Sequence, residues 1–571
     1  MNKIWKINKK APESFLKKFP EYSKLTLQLL WDRGLKTQKT IDEFFNPDYD
    51  EDLHDPFLLK DLKKAIMRIE KAAQNKEKVA IFADFDADGI CGASILTEVL
   101  KIFKIRPDIY IPDRNREGYG LNIKSIKDAS EKGISLILTI DCGVTDFEEV
   151  KLANKLGMEV IIIDHHEMPK KLPSAFAIVN PKQKTCKYPF KYLSATGVAF
   201  KLAQGIAELK KIPSSWEKWL LDLVAIATLA DSMLLLGENR TLVNYGLIVL
   251  SQTKRIGLKA LIDKAKVKID NLNTYIISFV LVPRLNAASR VDHGTIAYNL
   301  LIASNKEEAE DLAQTLERKN QERQRMTEEI LKEVKQKIGG HLKTKKIIVE
   351  GDEKWTAGLS GLIAQKLKDE FWRPVLIYQK FEEYSSGSGR SIPDFSLIKA
   401  LSHCRNFLKE FGGHHQAAGF KVLNKDLEKF KTIIEKFSSK ELKSKKLIPY
   451  LEIDAEVGFE DLDWLIFKEI QEFAPFGEAN PNPLFLLKGL RVSETRNVGT
   501  NGTHLKVSLE KETERGTKRF RAIGFNLVNY CDKIRTGDKI DIVFELIANE
   551  WNGMRELQLK IIDLKKLSPK S

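Results

Sequence analysis

The chain has 571 residues, enough for three or four domains, and its 43% hydrophobic content argues against wholesale disorder. Lys and Arg number 93 against 79 for Asp and Glu, a formal charge of +14 that favours a polyanionic partner. Five scattered cysteines with no CxxC pair fit a reducing cytoplasm and argue against a zinc ribbon. Met1 to Pro12 is basic but has no apolar signal core, and the most apolar long segment, Leu220 to Leu236, carries Asp222 and Asp231. No membrane span is expected, and the reading is a soluble cytoplasmic protein.

Residues 1–75 read as a mostly helical lead-in, and the doubly wound domain is expected over 76–300. Its first strand is the apolar run Val79 to Ala83, too short for a core helix, which ends in Asp84-Phe85-Asp86-Ala87-Asp88-Gly89. Asp is depleted in strands, and three carboxylates this close repel one another unless something positive lies between them. A divalent cation is the simplest answer, although a solvated acidic turn or a calcium loop shares the spacing. Two more apolar runs repeat the design. Ser135 to Ile140 ends in Asp141-Cys142-Gly143, and Glu159 to Ile163 ends in Asp164-His165-His166. Helix-like segments lie between them (Ile90 to Phe103, Asn122 to Glu131, Phe147 to Leu156), so the pattern predicts βαβ units and a parallel sheet. Ligands of such sheets sit beyond the carboxyl ends of the strands, where all three acidic clusters fall.

Further along, Pro112-Asp113-Arg114 offers an arginine that could clamp a phosphate, or simply a surface ion pair. Asp222 to Asp231 reads as an apolar helix closed by an aspartate, and Pro283-Arg284-Leu285-Asn286-Ala287-Ala288-Ser289-Arg290 follows. Residues 301–340 contain the charged run Asn305 to Ile338, free of Pro and Gly, which predicts one long connecting helix ended by Gly339-Gly340. A second α/β domain is expected over 341–445, marked by Gly387-Ser388-Gly389-Arg390-Ser391 and Gly412-Gly413-His414-His415-Gln416-Ala417-Ala418-Gly419. Such glycine-rich loops let backbone N–H groups approach phosphate oxygens. Over 446–571 the pattern turns to short strands with polar turns, as in a small barrel of the OB type that binds single strands or a purely structural β-domain.

The pairing of Asp84-Phe85-Asp86-Ala87-Asp88-Gly89 with Asp164-His165-His166 resembles the DHH phosphoesterase superfamily. Within it the chain resembles the RecJ family of exonucleases specific for single-stranded DNA, over nearly its whole length. The resemblance implies a doubly wound DHH domain, a long connecting helix, a DHHA1 domain and an OB-like barrel. It implies two divalent cations, Mn²⁺ or Mg²⁺, and hydrolysis of single-stranded DNA from the 5′ end to 5′-mononucleotides in repair and recombination. It assigns Asp141 as the ligand shared by both ions, Asp88, His165 and Asp231 to one ion and Asp86 to the other. Asp84 would support that shell and His166 would face the scissile phosphate.

By the same resemblance, Arg114, Ser388 and Arg390 hold the 5′ end, and Arg284, Asn286 and His414 lie along the substrate. Ser289 replaces a usual glycine. Phe82 stands where pyrophosphatase relatives carry a metal-binding histidine, which counts against that activity. Expected partners are single-stranded DNA and, beyond it, a helicase and a single-stranded-DNA-binding protein; a monomer is expected. The rival readings are an oligoribonuclease or cyclic-dinucleotide phosphodiesterase, and a non-catalytic DNA-binding scaffold.

Overall fold

The computed structural model describes residues 3–114, 116–339, 345–499, 502–513, 516–551 and 553–567. Its chain divides into two compact units, one formed by residues 49–233 and 238–447, the other by 1–48, 234–237 and 448–571.

In the first unit, β1 (Lys78–Ala83), β2 (Asp108–Tyr110), β3 (Ile134–Ile140), β4 (Glu159–Ile163) and β5 (Ala177–Val179) form a parallel sheet of order β2-β1-β3-β4-β5. Ile81 lies opposite Leu138, and Leu138 opposite Ile161. The Val and Ile residues of β1, β3 and β4 are almost wholly buried, as both faces of a parallel sheet must be. Phe82 stacks on Tyr110 with ring centroids 4.9 Å apart and belongs to this core. Against the sheet stand α1 (Ala87–Ile102) and α2 (Ala195–Lys210), and α3 (Leu221–Ala230) and α4 (Val282–Val291) pack on α1.

One 33-residue helix, α5 (Lys306–Ile338), follows. Its start is fixed by Asn305, whose side chain accepts the N–H of Glu308 at 2.8 Å. Gly339 caps its far end, and Gly340 lies outside the described residues. Ala309, Ala313 and Leu316 are buried in its first half. Ile330, Val334 and Ile338 join a separate core with Trp355, Leu359 and Ile363. Beyond it, β6 (Ile348–Asp352), β7 (Val375–Lys380), β8 (Tyr384–Arg390), β9 (Leu408–Gly413) and β10 (Ala417–Leu423) form a mixed sheet of order β9-β10-β8-β7-β6. It packs against α6 (Ser360–Phe371).

The second unit is built on β11 (Phe485–Val498), β12 (His504–Thr513), β13 (Gly516–Gly524), β14 (Lys539–Trp551) and β15 (Met554–Lys566). Their order is β11-β12-β13-β15-β14, and pairing of β11 with β14 closes a five-stranded barrel and leaves no free edge among these strands. Residues 11–45 pack into the same core: Leu29, Leu30 and Phe44 are buried with Phe473, Leu487 and Phe544. Buried Arg33 ties the two ends of the chain together, its Nε donating to Asn480 Oδ1 at 2.6 Å. No helix among the described residues is long and apolar enough to cross a membrane.

Candidate active site

The first acidic cluster is shaped by the turn that joins β1 to α1. Asp86 caps α1, its Oδ1 accepting the N–H groups of Asp88 (3.0 Å) and Gly89 (3.4 Å). A Cβ on Gly89 would lie 2.4 Å from the Asp84 carbonyl oxygen, so only glycine lets the turn close this tightly. Buried Asp88 accepts the N–H groups of Ala195 and Thr196, both at 2.8 Å, and so sits on the N-terminus of α2. There the helix dipole favours a negative charge.

The other ligating groups leave the ends of neighbouring elements. Asp141 follows β3 with φ 63°, a left-handed backbone that Asp tolerates better than most residues. After β4, Asp164 Oδ1 accepts the N–H groups of His165 (2.7 Å) and His166 (3.1 Å) and lies 2.8 Å from His166 Nδ1. Asp231 closes α3.

These elements bring seven side chains together. His165 Nε2 lies 3.3 Å from Asp141 Oδ1, 3.5 Å from Asp231 Oδ2 and 3.9 Å from Asp88 Oδ2. His166 Nδ1 is 3.7 Å from Asp141 Oδ1. Donor atoms within 4.8 Å of one another form three groups: Asp88 with His165 and Asp231, Asp84 with Asp86 and Asp141, and Asp141 with His165 and His166. Two of the three groups share Asp141.

The electrostatics are those of a site that calls for cations. Burial, then the neighbouring carboxylates, holds Asp84 and Asp141 well above the usual carboxylate range, and the same causes push Asp231 up to about 8. Burial lowers His165. It also pulls on His166, but the bond to Asp164 outweighs it and carries that imidazole up to about 9. Asp84 Oδ1, Asp141 Oδ1 and His165 Nδ1 are buried without a hydrogen-bond partner. Buried polar atoms are nearly always satisfied, and carboxylate oxygens with imidazole nitrogens are the donors hard divalent cations accept. The residues fit Mn²⁺ or Mg²⁺.

Beside the carboxylates lies a set of guanidinium groups. Arg114 rests over the Phe85 ring at 4.6 Å, close to Asp84 and Asp86. Burial lowers Arg390 and Arg290, and mutual repulsion with Arg114 adds to it in both. Arg290 is also repelled by Arg323 and donates to the Gly358 carbonyl at 3.0 Å. Arg390 reaches over the start of α6, where a Cβ on Gly361 would lie 3.2 Å from its Nη2. Ser388 sits two residues before Arg390 on β8, hence on the same face of the strand. Like charges gathered in low dielectric favour an anion between them.

Of the remaining expected residues, Asn286 Oδ1 accepts the N–H of Ala87 at 2.8 Å, inside the first acidic turn. Arg284 donates to Glu317 (2.6 Å) and to the Val280 carbonyl (2.8 Å). His414 stands exposed in the β9–β10 hairpin, its N–H on the Ala417 carbonyl. Ser289 fits its buried position by donating to the Asn286 carbonyl at 3.2 Å.

Sequence reasoning missed Arg290 and Arg323 as members of the guanidinium set. Arg290 closes the Pro283–Arg290 motif, so its signal was present, whereas Arg323 lies in a run of similar charges with nothing to single it out. It also missed Tyr119, whose hydroxyl donates to the Asp141 carbonyl at 2.8 Å and lies 3.3 Å from His166 Nδ1.

Comparison with known proteins identifies the domains and the family. Residues 78–228 match the DHH family, N-terminal domain; residues 343–440 match the DHHA1 domain; residues 453–563 match the RecJ OB domain. The chain is 38% identical over 541 residues to the single-stranded-DNA-specific exonuclease RecJ of Bacillus subtilis, covering 94% of this chain and 67% of that one. It is 30% identical over 526 residues to RecJ of Haemophilus influenzae, covering 89% and 91%. Among solved structures, RecJ of Thermus thermophilus in complex with Mn²⁺ is similar with a TM-score of 0.84 and 26% identity, covering all of this chain and 80% of that one. The Mg²⁺ complex of the same protein gives a TM-score of 0.77 at 25% identity. Sequence, domain order and fold together place this chain in the RecJ family.

Proposed function

We propose that the protein is an exonuclease that hydrolyses single-stranded DNA from its 5′ end to 5′-mononucleotides with two divalent cations, Mn²⁺ or Mg²⁺. The observation that carries this reading is the meeting of seven buried or half-buried carboxylate and imidazole groups with the guanidinium set of Arg114, Arg290, Arg323 and Arg390. The first suits cations, and the second suits a phosphate.

Asp88, His165 and Asp231 would hold one cation and Asp86 the other, with Asp141 shared and Asp84 supporting. When bound, such a pair lowers the pKa of water and stabilises the attacking and leaving oxygens of the phosphodiester. His166, held by Asp164 at 2.8 Å from its Nδ1, would face a non-bridging oxygen of the scissile phosphate. Tyr119 steadies both His166 and the backbone of Asp141. Arg114 and Arg390, with Ser388, receive the 5′-phosphate, and Arg284 and His414 lie further along the strand. Asn286 acts on the substrate through the turn it holds. Because the substrate is single-stranded, a helicase and a single-stranded-DNA-binding protein are the partners that would expose and hold it.

The test is a nuclease assay of the purified protein with Mn²⁺ or Mg²⁺ on single-stranded DNA labelled separately at each end. Mononucleotide is expected at once from the 5′ label, with the 3′-labelled strand shortening stepwise, and Asp141→Ala should be inactive. Cleavage confined to dinucleotides would overturn the reading, as would binding without cleavage.

A further inference from the structure

We infer that Tyr275 and Phe279 form a stacking platform for bases of the substrate strand, a few nucleotides from the bond that is cut. The inference rests on the exonuclease reading and adds a subsite to it.

Two large aromatic side chains stand in solvent one helical turn apart. Each is 66% exposed, and their rings lie 4.9 Å apart at an interplanar angle of 37°. Side by side, the two rings make one contiguous exposed patch, and such patches mark sites of interaction. They belong to a helical run, Thr274–Ile276 followed by the π-turn Ile277–Leu281, that continues into α4. Insertions of this kind cluster at functional sites.

Two further observations point to a nucleic acid as the occupant. The segment 254–268 carries six basic residues and one acidic residue, Asp263. Lys264 and Lys266 line a groove with Arg284, whose Nη1 holds the Val280 carbonyl next to Phe279. Of the two acidic residues in the same groove, Glu317 is engaged by Arg284, and Asp263 stands beside Lys264. Exposed rings beside a net-basic segment are the combination that binds single strands, with bases stacking on the rings and phosphates on the charges.

The second observation is continuity. Seven residues after Phe279, the same run presents Asn286, which holds Ala87 between Asp86 and Asp88. At about 1.5 Å per residue that is about 10 Å, the length of roughly three stacked nucleotides. A strand whose end lies at the carboxylates therefore reaches the ring pair within a few nucleotides.

The test uses the full-length protein with Mn²⁺ on 5′-phosphorylated 20-mers, each carrying one abasic sugar at a different position from the 5′ end. In the unaltered protein, loss of a base at one or two adjacent inner positions should raise KM at least about fivefold. Tyr275→Ala/Phe279→Ala should raise KM for the intact strand by a similar factor and flatten the abasic profile. Tyr275→Trp/Phe279→Trp should keep the profile, and Tyr275→Leu/Phe279→Leu should not. An unchanged profile in the alanine variant would overturn the platform, as would leucine serving as well as tryptophan. In either case the rings would be a surface for another protein or mere exposed packing. Failure of the unaltered protein to degrade any single strand would instead overturn the exonuclease reading, before any variant is made.

Discussion

Asn286 reaches across the fold to Ala87, taking its backbone N–H at 2.8 Å, so α4 directly holds the turn that carries Asp86 and Asp88. Nothing else from outside that turn is bonded to the Ala87 N–H among the described residues. Asn286→Ala leaves a partly buried donor unsatisfied, a cost of about 1–3 kcal/mol, and frees the turn to shift. Mn²⁺ affinity, measured by titration calorimetry, is expected to fall about tenfold, and kcat with it. Asn286→Asp should recover part of both, because a carboxylate oxygen can accept the same N–H.

Asp141 sits where a charge is costly to the cation-free protein. It is buried, repelled by Asp88, Asp86 and Asp84, and held at φ 63°. Asn accepts the same backbone and carries no charge. Asp141→Asn should abolish activity yet raise the unfolding temperature of the protein stripped with a chelator, by about 1 °C for each kcal/mol of repulsion removed from a unit of this size. Saturating Mn²⁺ should reverse the order, because it stabilises only the chain that binds it, by about 2.7 kcal/mol at one hundred times Kd.

Arg390 lies close to Arg114 over the start of α6. Charge-assisted bonds from such a guanidinium are worth about 1.5–3 kcal/mol. Arg390→Ala should lower the preference for 5′-phosphate over 5′-hydroxyl ends at least about tenfold in kcat/KM. Arg390→Lys should recover only part, because an ammonium lacks the planar fork. Equal preference in the alanine variant and the unaltered protein would remove Arg390 from the 5′ pocket.

Asp146 offers a pH test away from the cation ligands. Burial pushes its carboxyl up to about 6, although its Oδ2 accepts the Leu121 N–H at 2.7 Å. A carboxyl raised in the folded state contributes stability below about pH 4, and that contribution is lost as pH rises through about 6. Asp146→Asn keeps an acceptor for Leu121 and cannot ionise. Denaturant unfolding at pH 4 and pH 7.5 should therefore move the difference between variant and unaltered protein by about 1–3 kcal/mol in the variant's favour at the higher pH.

What the sequence made legible follows from what is local. Val79 to Ala83, Ser135 to Ile140 and Glu159 to Ile163 announce themselves because strands of a parallel sheet are buried on both faces and read as unbroken apolar runs. The carboxylates at their ends stand out for the same reason, as charges adjoining apolar strands. The edge strands Asp108–Tyr110 and Ala177–Val179 are three residues each and give no such run. Asp231 was visible only through the family resemblance, because an aspartate closing an apolar helix looks like any surface residue. Arg290 and Arg323 meet across 33 positions of sequence, and no periodicity encodes that meeting. The packing of Leu29 and Phe44 against the barrel residues Leu487 and Phe544 is likewise a long-range event without local signal.

The helix Lys306–Ile338 has a mechanical consequence. At about 1.5 Å per residue it is a rod of about 50 Å, with Ala309, Ala313 and Leu316 buried in one half and Ile330, Val334 and Ile338 in the other. A rod that belongs to two cores cannot melt in one without loosening the other. Residues 49–447 should therefore lose their structure in one concerted step, and the amides midway along the rod, near Glu317 to Arg325, should exchange with solvent as slowly as those of the central strands.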